Sequence, residues 1–245
     1  MIILHGLFGS HTNWRTLAKA FAETHFVFLV DLRNHGQSPW HSSMSYYEMA
    51  ADVLGFIESQ KLSQPVILGH SMGGKVAMAL AQGNEETIAK LIVADIAPVS
   101  YEHSHDNFIS AMKLIDFNQV KSRKDVDLQL QQNISSGPIR QFLLQNLIKI
   151  DSQYKWRINL EAIEKNLPKL LDYNIEVESN VETLFIGGSL SDYITPSHHA
   201  DIQRLFPASS IEMIDQAGHW LHAEKPQEFV DSVRRFLIPS QDLTE

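Results

Sequence analysis

Residues 66–74 have the sequence VILGHSMGG, in which an apolar, β-branched run enters the motif Gly-x-Ser-x-Gly. Helix-forming residues follow from Lys75 to Ala81. This order predicts a strand, a tight turn and a helix, with the hydroxyl of Ser71 held clear of the sheet at the turn. Gly69 and Gly73 supply the small residues that such a crowded turn requires. The same motif also occurs in ordinary turns, but the flanking strand and helix favour a nucleophile here.

The composition of the chain narrows the classes of protein that it can represent. Its 245 residues suit one α/β domain with a large core, and 44% hydrophobic with 20% charged residues is typical of a soluble globular protein. No apolar run approaches the roughly 20 residues that span a bilayer, so we expect neither a membrane span nor a signal peptide. The net charge of −9 disfavours a nucleic-acid partner, because an acidic surface repels phosphate.

Cysteine is absent from the sequence, which excludes disulfides, a thiolate nucleophile and cysteine-ligated metal sites. This absence fits a reducing compartment, and we expect a cytoplasmic protein. The 12 histidines have none of the spacings that are typical of metal sites. We therefore expect no bound metal.

Apolar strands and amphipathic helices alternate along most of the chain, which predicts a mostly parallel sheet flanked by helices. The segment 98–180 breaks this alternation, because it has helical patterns and no convincing strand. We expect residues 1–97 and 181–245 to form the core and 98–180 to form a helical cap above Ser71, although a helical layer beside the sheet is the alternative. The predicted strands outside the motif are Ile2–Leu4, Phe26–Val30, Leu91–Ala94, Thr183–Ile186 and Ile211–Ile214, and the predicted helices include Asn13–Glu23, Tyr46–Ser59 and Gln227–Leu237.

A serine hydroxyl becomes an effective nucleophile only beside a base, which in turn needs an orienting acid. In this kind of sheet the chain order is serine, then aspartate or glutamate, then histidine. His219 fits the base, because it follows the last predicted strand directly after a glycine. His222 lies close by and is the fallback.

Two carboxylates compete for the role of the acid. Asp95 ends the strand that follows the nucleophile, and Asp192 lies just past the next predicted strand. The same residues also suit structural roles, Asp192 as a turn or helix-capping residue and Asp95 as a strand-end cap. Their spacing from Ser71 does not decide between them.

The tetrahedral intermediate of acyl transfer needs donors for its oxyanion. Residues 5–10 leave the first strand as a glycine-bounded loop, and the backbone N–H of Leu7 is predicted to pair with that of Met72. An ordinary strand-to-helix turn is the competing interpretation. Residues 31–38 are predicted to brace this side of the site without taking part in chemistry.

Together these motifs resemble the α/β-hydrolase family over nearly the whole chain. A closer likeness is to the YbfF-type bacterial esterases and their mitochondrial relatives. In that subfamily the acid is the aspartate of an Asp-Ile-Ala-Pro motif, so the resemblance favours Asp95 over Asp192. The motifs that carry the likeness are HGLFGS at 5–10, RNHG at 33–36, GHSMGGK at 69–75, DIAP at 95–98 and GHWLHAEKP at 218–226.

The resemblance implies a serine esterase that acts without metal or organic cofactor on small-molecule substrates. Small carboxylic esters are the expected substrates, together with acyl thioesters such as acyl-CoA, and Ser71, His219 and Asp95 are the expected triad. A carbon–carbon hydrolase, a perhydrolase and a non-catalytic ligand-binding module are the alternatives on the same fold. Dehalogenases and epoxide hydrolases are disfavoured, since they need aspartate at position 71.

The chain departs from the family at its beginning. Family members have two antiparallel strands before the strand that ends in His-Gly, whereas this sequence starts at that strand. The predicted strand Phe26–Val30 would then be an exposed, apolar sheet edge. We expect either that another chain or element covers it, with a homodimer as one solution, or that the sequence is shorter than the natural protein.

Overall fold

A sheet of parallel strands forms the centre of the computed structural model, which describes residues 1–102 and 105–238. The strands are β1 (Ile2–Leu4), β2 (Phe28–Val30), β3 (Val66–His70), β4 (Lys90–Ala94), β5 (Leu147–Ile150), β6 (Gln153–Trp156), β7 (Thr183–Gly188) and β8 (Ser209–Ile214). Six of them lie in the order β2-β1-β3-β4-β7-β8, and every neighbouring pair is parallel. The predicted parallel sheet is therefore confirmed.

Helices cover both faces of this sheet. They are α1 (Arg15–Phe21), α2 (Tyr46–Ser59), α3 (Met72–Gly83), α4 (Asp106–Lys113), α5 (Arg123–Gln131), α6 (Gly137–Leu144), α7 (Leu160–Leu171), α8 (His199–Leu205), α9 (Leu221–Glu224) and α10 (Pro226–Leu237). Within the described ranges, none of these helices combines the length and the apolar character needed to cross a membrane.

Alternation along the strands divides the core between the two faces, because successive strand residues point in opposite directions. Ile67 and Leu91 pack with the apolar residues of α2 and α3 on one face. Leu68 and Ile92 pack with those of α1 and α10 on the other. Burial on both faces explains why these strands are continuous apolar runs.

Helix α2 illustrates how local sequence sets an element's bounds. The hydroxyl of Ser45 accepts a hydrogen bond from the backbone N–H of Glu48, and the Glu48 carboxylate accepts one from the N–H of Ser45. This capping box starts the helix, and Met49 and Val53 bury its apolar face. The observed range is the predicted one.

The segment between β4 and β7 contains α4 to α7 and an antiparallel hairpin of β5 and β6. The expectation of helical patterns without a convincing strand is wrong for this hairpin. The hairpin turn consists of Asp151 and Ser152, both with positive φ (48° and 68°). Asn-Gly is the usual signal for such a turn, so this pair gives little warning of a hairpin.

The indole N–H of Trp156 in β6 donates to the carbonyl of Met112 in α4 at 2.8 Å. This contact joins the hairpin to the helices of the same segment. The division into 1–97 and 181–245 against 98–180 stays a prediction, and residues 239–245 of the predicted core lie outside the described residues.

Candidate active site

Ser71 occupies the turn between β3 and α3, with φ 53° and ψ −120°. Its N–H donates to the carbonyl of Ala94 at 2.9 Å, which continues the ladder between β3 and β4. The turn tolerates only glycine beside it. A Cβ at Gly69 would lie 2.2 Å from the carbonyl oxygen of Gly73, and one at Gly73 would lie 2.5 Å from the carbonyl oxygen of His5.

His219 approaches Ser71 from the loop after β8. Its Nε2 lies 3.1 Å from the Oγ of Ser71, and its Nδ1 lies 2.8 Å from Oδ2 of Asp95. A proton on Nδ1 can be donated to the carboxylate, which leaves Nε2 free to accept the hydroxyl proton of Ser71. Contacts of this kind are the ones that a nucleophile, a base and an orienting acid require.

Two neighbours hold the His219 loop and ring in place. The ring of Tyr193 stacks on the imidazole with centroids 4.1 Å apart. His70 Nε2 donates to the backbone carbonyl of His219 at 2.8 Å. Burial lowers the pKa of His70 well below its ordinary value, so this imidazole is neutral near pH 7 and carries the proton that the carbonyl accepts.

Asp95 follows β4, is fully buried and has a φ of 51°. Its Oδ1 accepts from the N–H of Gly188 at 2.9 Å, and its Oδ2 accepts from the Oγ of Ser191 at 2.5 Å as well as from His219. These three donors offset the free-energy cost of burying the Asp95 carboxylate. Ser191 was not singled out from the sequence, because its contact with Asp95 spans 96 positions and leaves no local signal.

The structure separates the alternative residues from this chain of contacts. Asp192 is exposed, and no hydrogen bond joins it to His219 within the described part of the chain. The ring of His222 stacks on Trp14 with centroids 4.4 Å apart and interplanar angle 8°. Burial lowers the pKa of His222 to about 3.

The amides of Leu7 and Met72 are available as donors. Neither N–H donates to another group among residues 1–102 and 105–238, and Met72 is the first residue of α3, where helical amides have no partner. Both residues line a cavity with Ser71. An anion placed between them would also meet the positive end of the helix.

Buried histidines brace the loop that carries Leu7. His35 Nε2 accepts from the N–H of Phe8 at 3.2 Å, and His5 Nε2 accepts from the N–H of Leu32 at 3.0 Å. Burial lowers the pKa of His35 to about 3 and lowers that of His5. The neutral rings can therefore accept these bonds, and residues 31–38 make the bracing contacts predicted from the sequence.

Two cavities meet at Ser71. The larger has an apolar wall that includes Phe8, Phe108, Phe142 and Trp220, and His219 also lines it. The smaller is lined by Met72, Lys75 and Tyr193. An ester bond placed at Ser71 would have one half in each cavity.

Known proteins resemble this chain over nearly its whole length. A sequence profile described as alpha/beta hydrolase fold matches residues 1–226. The mouse protein named sn-1-specific diacylglycerol lipase ABHD11 is 42% identical over 97% of this chain and 80% of its own length. Esterase YbfF of Escherichia coli strain K12 is 33% identical over 97% of this chain and 92% of its own length.

One solved structure, titled Marine microorganism esterase, matches the fold with a TM-score of 0.94. Its sequence is 42% identical, and the match covers 96% of this chain and 94% of that one. Agreement at this level extends from the sheet through the segment between β4 and β7.

Proposed function

Because the chain belongs to the α/β-hydrolase family, we propose that it cleaves carboxylic esters with Ser71 as nucleophile, His219 as base and Asp95 as acid. That it is a carboxylic ester hydrolase follows from its relatives, which are named esterases and lipases. The observation that carries the proposed triad is the continuous path of contacts, 3.1 Å from Ser71 to His219 and 2.8 Å from His219 to Asp95.

In the proposed reaction, Oγ of Ser71 attacks the acyl carbon while Nε2 of His219 takes the hydroxyl proton. The amides of Leu7 and Met72 stabilise the oxyanion that forms. His219 then gives its proton to the leaving oxygen, and an acyl-serine remains. Water, activated by His219, attacks this acyl group and restores Ser71, while Asp95 stabilises the imidazolium that appears in each half of the cycle.

The segment 98–180 acts in this proposal as a cap over the core of 1–97 and 181–245. Its residues Phe108, Ile139, Phe142 and Leu143 line the larger cavity together with Ser71 and His219. Apolar side chains over the reacting atoms would exclude water and strengthen the electrostatic contacts below them.

Acyl thioesters, including acyl-CoA, belong to the same proposed substrate class. The acyl carbon is attacked in the same way, and a thiolate leaves more readily than an alkoxide. Turnover of esters and acyl-CoA thioesters of graded chain length would define the range. Hydrolysis of esters but of no thioester would restrict the function to esters.

Replacement of the nucleophile tests the triad. Ser71→Ala is expected to abolish turnover of p-nitrophenyl acetate and labelling by a fluorophosphonate, with circular dichroism unchanged. Ser189→Ala is the matched control, since Ser189 is exposed and its hydroxyl bonds to Asp215 at 3.3 Å, away from Ser71. Retained turnover in Ser71→Ala would refute the proposal. A wild-type chain that does not react with the fluorophosphonate would indicate a non-catalytic binding module.

A further inference from the structure

The smaller cavity beside Ser71 differs from the larger one in charge. Lys75 is the one lysine or arginine among the described residues that line either cavity. It lies one helical turn beyond Ser71 in α3, and its backbone N–H donates to the carbonyl of Ser71 at 3.1 Å. A buried cation this close to a nucleophile requires a physical reason, since burial of an ammonium group is costly.

Local contacts satisfy Lys75 only in part. The side chain is buried, and Nζ donates to the backbone carbonyls of Leu171 at 3.2 Å and Asp172 at 3.5 Å. An ammonium group has three N–H donors, so one remains after these two. The rings of Tyr46, Tyr101 and Tyr173 surround Nζ, with centroids 5.5, 4.9 and 5.5 Å away, and such faces favour a cation without accepting a conventional hydrogen bond.

The neighbouring hydroxyls already have acceptors. The Tyr46 hydroxyl donates to the carbonyl of Leu170, and the Tyr101 hydroxyl donates to that of Tyr193 at 2.6 Å. The carboxylate of Asp172 accepts from the Oγ of Ser100 at 2.5 Å and from the N–H of Tyr173 at 2.9 Å. The amides of Leu7 and Met72 serve the oxyanion in the proposed reaction, and Lys75 is a charged side chain in the same cavity with a further N–H available to a ligand.

The proposed chemistry decides which half of the substrate enters each cavity. The leaving oxygen must lie near Nε2 of His219, because that atom delivers its proton. His219 lies in the wall of the larger cavity, with Trp220 beside it. The alcohol half therefore occupies the larger cavity, and the acyl chain extends past Leu7 and Met72 into the smaller one.

We propose that the smaller cavity binds the acyl half of the substrate and that Lys75 binds a carboxylate at the far end of a short acyl chain. The inference rests on the proposed function, which it deepens by naming the acyl group. Esters of dicarboxylic acids, with one carboxyl group esterified and one free, are the class that fits. A carboxylate would supply the acceptor that the third N–H lacks and the counter-charge that a buried ammonium needs.

If Lys75 had a purely structural role, its replacement would have a different effect. Leu171 is the last residue of α7, and lysine side chains can bind the final carbonyls of a helix. If Lys75 only holds this helix end, its removal should affect neutral and charged acyl groups alike.

The decisive comparison uses the 4-methylumbelliferyl esters of butyrate and of succinate, which differ in a terminal methyl or carboxylate on acyl chains of equal length. Lys75→Met is expected to lower kcat/KM for the succinyl ester about tenfold or more relative to the butyryl ester. Lys90→Met is the matched control. It also removes a half-buried ammonium group, which donates to the carbonyl of Phe236 at 2.9 Å and to Glu182 at 3.0 Å, and Lys90 does not line the cavity. An equal loss on both esters in Lys75→Met would overturn the proposal.

The pH dependence of the wild-type preference gives a second readout that needs no variant. Burial lowers the pKa of Lys75 to about 7, opposed by the carboxylate of Asp172. The other groups that face Nζ are Tyr46, Tyr101 and Tyr173, whose pKa values burial raises, so they stay neutral. The ratio of succinyl to butyryl kcat/KM should therefore fall as the pH rises through about 7. The steps at His219 are common to both esters, so their pH dependence cancels from the ratio. A ratio that is constant from about pH 5.5 to 8.5 would contradict the role of Lys75.

Binding separates this inference from the triad. Free succinate should bind the wild-type chain and the Lys90→Met variant about tenfold more tightly than Lys75→Met, as measured by calorimetry. This measurement needs no turnover, so it tests Lys75 even if Ser71 proves not to be the nucleophile. Equal affinities in Lys75→Met and the wild type would refute the carboxylate site.

Discussion

The carboxyl edge of the parallel sheet and the segment 98–180 contribute to the same site by different physical means. Ser71, Asp95 and His219 follow the adjacent or nearby strands β3, β4 and β8, so the backbone geometry of a parallel sheet brings them together. The segment is positioned by side chains, such as the bond from Nδ2 of Asn146 to the carbonyl of Phe8 at 2.7 Å. The sheet edge supplies the proposed chemistry, and the segment shapes the space around it.

This difference predicts two kinds of mutational effect. A change at the sheet edge should reduce turnover of every substrate, because it alters the reacting groups. A change in the segment should alter the preference among substrates and leave the reaction itself intact.

The strongest test of the sheet edge replaces each of the two candidate acids by asparagine in a separate variant. Asp95→Asn should lower kcat about 10³- to 10⁴-fold, because the amide cannot stabilise the imidazolium of His219 or fix its tautomer. Asp192→Asn should change kcat less than about twofold, since Asp192 is exposed. Steady-state kinetics with p-nitrophenyl acetate measure both. Inactivation by Asp192→Asn alone would reverse the assignment.

The turn beneath the nucleophile should tolerate no extra atom. Gly73→Ala places a Cβ 2.5 Å from the carbonyl oxygens of both Leu4 and His5, and we expect a loss of roughly 3 kcal/mol or more in the free energy of unfolding. Gly83→Ala, at the other end of α3, meets nothing within 4 Å and should be neutral or slightly stabilising. Urea denaturation compares the two. Equal midpoints would mean that the turn can relax and that the sheet edge is less rigid than we infer.

Acid should lower the stability of the folded chain through the buried histidines that pack near the sheet edge. Burial lowers the pKa of His35 and of His222 to about 3 in the folded chain, while the unfolded chain binds these protons near pH 6.5. As the pH falls below about 6.5, the unfolded state gains protons first, and the free energy of unfolding should drop by roughly 1.4 kcal/mol per pH unit for each histidine. Urea denaturation between about pH 7 and 4 measures the slope.

His222→Phe should make that slope shallower, because it removes one titrating group while keeping a ring against Trp14. It also removes Nδ1 of His222, which is buried without a hydrogen-bond partner among the described residues. A slope unchanged by the substitution would show that His222 does not contribute to the acid sensitivity.

The segment is best tested at Phe142. This half-buried ring contacts Trp220 with centroids 5.6 Å apart and lines the larger cavity. Phe142→Ala should lower kcat/KM for esters of long-chain alcohols about tenfold, since apolar contact is lost, and should affect methyl esters little. Leu128→Ala is the control on the same segment, because Leu128 is 51% exposed. An equal loss of kcat/KM on methyl and long-chain esters would contradict the view that the segment 98–180 sets substrate preference while the sheet edge carries out the reaction.

Sequence patterns predicted the sheet and its flanking helices well, because the motifs that specify them lie within short stretches of sequence. The run around Ser71 and the capping box at Ser45 each lie within a few residues. The choice of Asp95 was different. Spacing left it open against Asp192, and the resemblance to a subfamily favoured it before the structure placed its carboxylate against His219.

The rest depends on contacts between distant parts of the chain. Ser191 resembles any loop serine until the fold brings it to Asp95, and Lys75 resembles an exposed helical lysine until α7 and three tyrosine rings enclose it. The hairpin turn at Asp151 and Ser152 has no glycine to mark it. Tertiary packing decides each of these three features, and the periodicity of a single segment gives no information about such packing.

Ser71 and Asp95 both hold backbone conformations that most L-residues avoid, with φ of 53° and 51°. Such positions cost of order 1–3 kcal/mol each, and glycine adopts them freely. A laboratory selection for heat resistance alone would therefore favour glycine at position 71, where the proposed triad needs a hydroxyl, whereas loss of the Asp95 carboxylate would leave the donors of Gly188 and Ser191 unpaired. Directed evolution of this scaffold would therefore have to score turnover in every round, because a variant that gains heat resistance at position 71 is expected to lose activity.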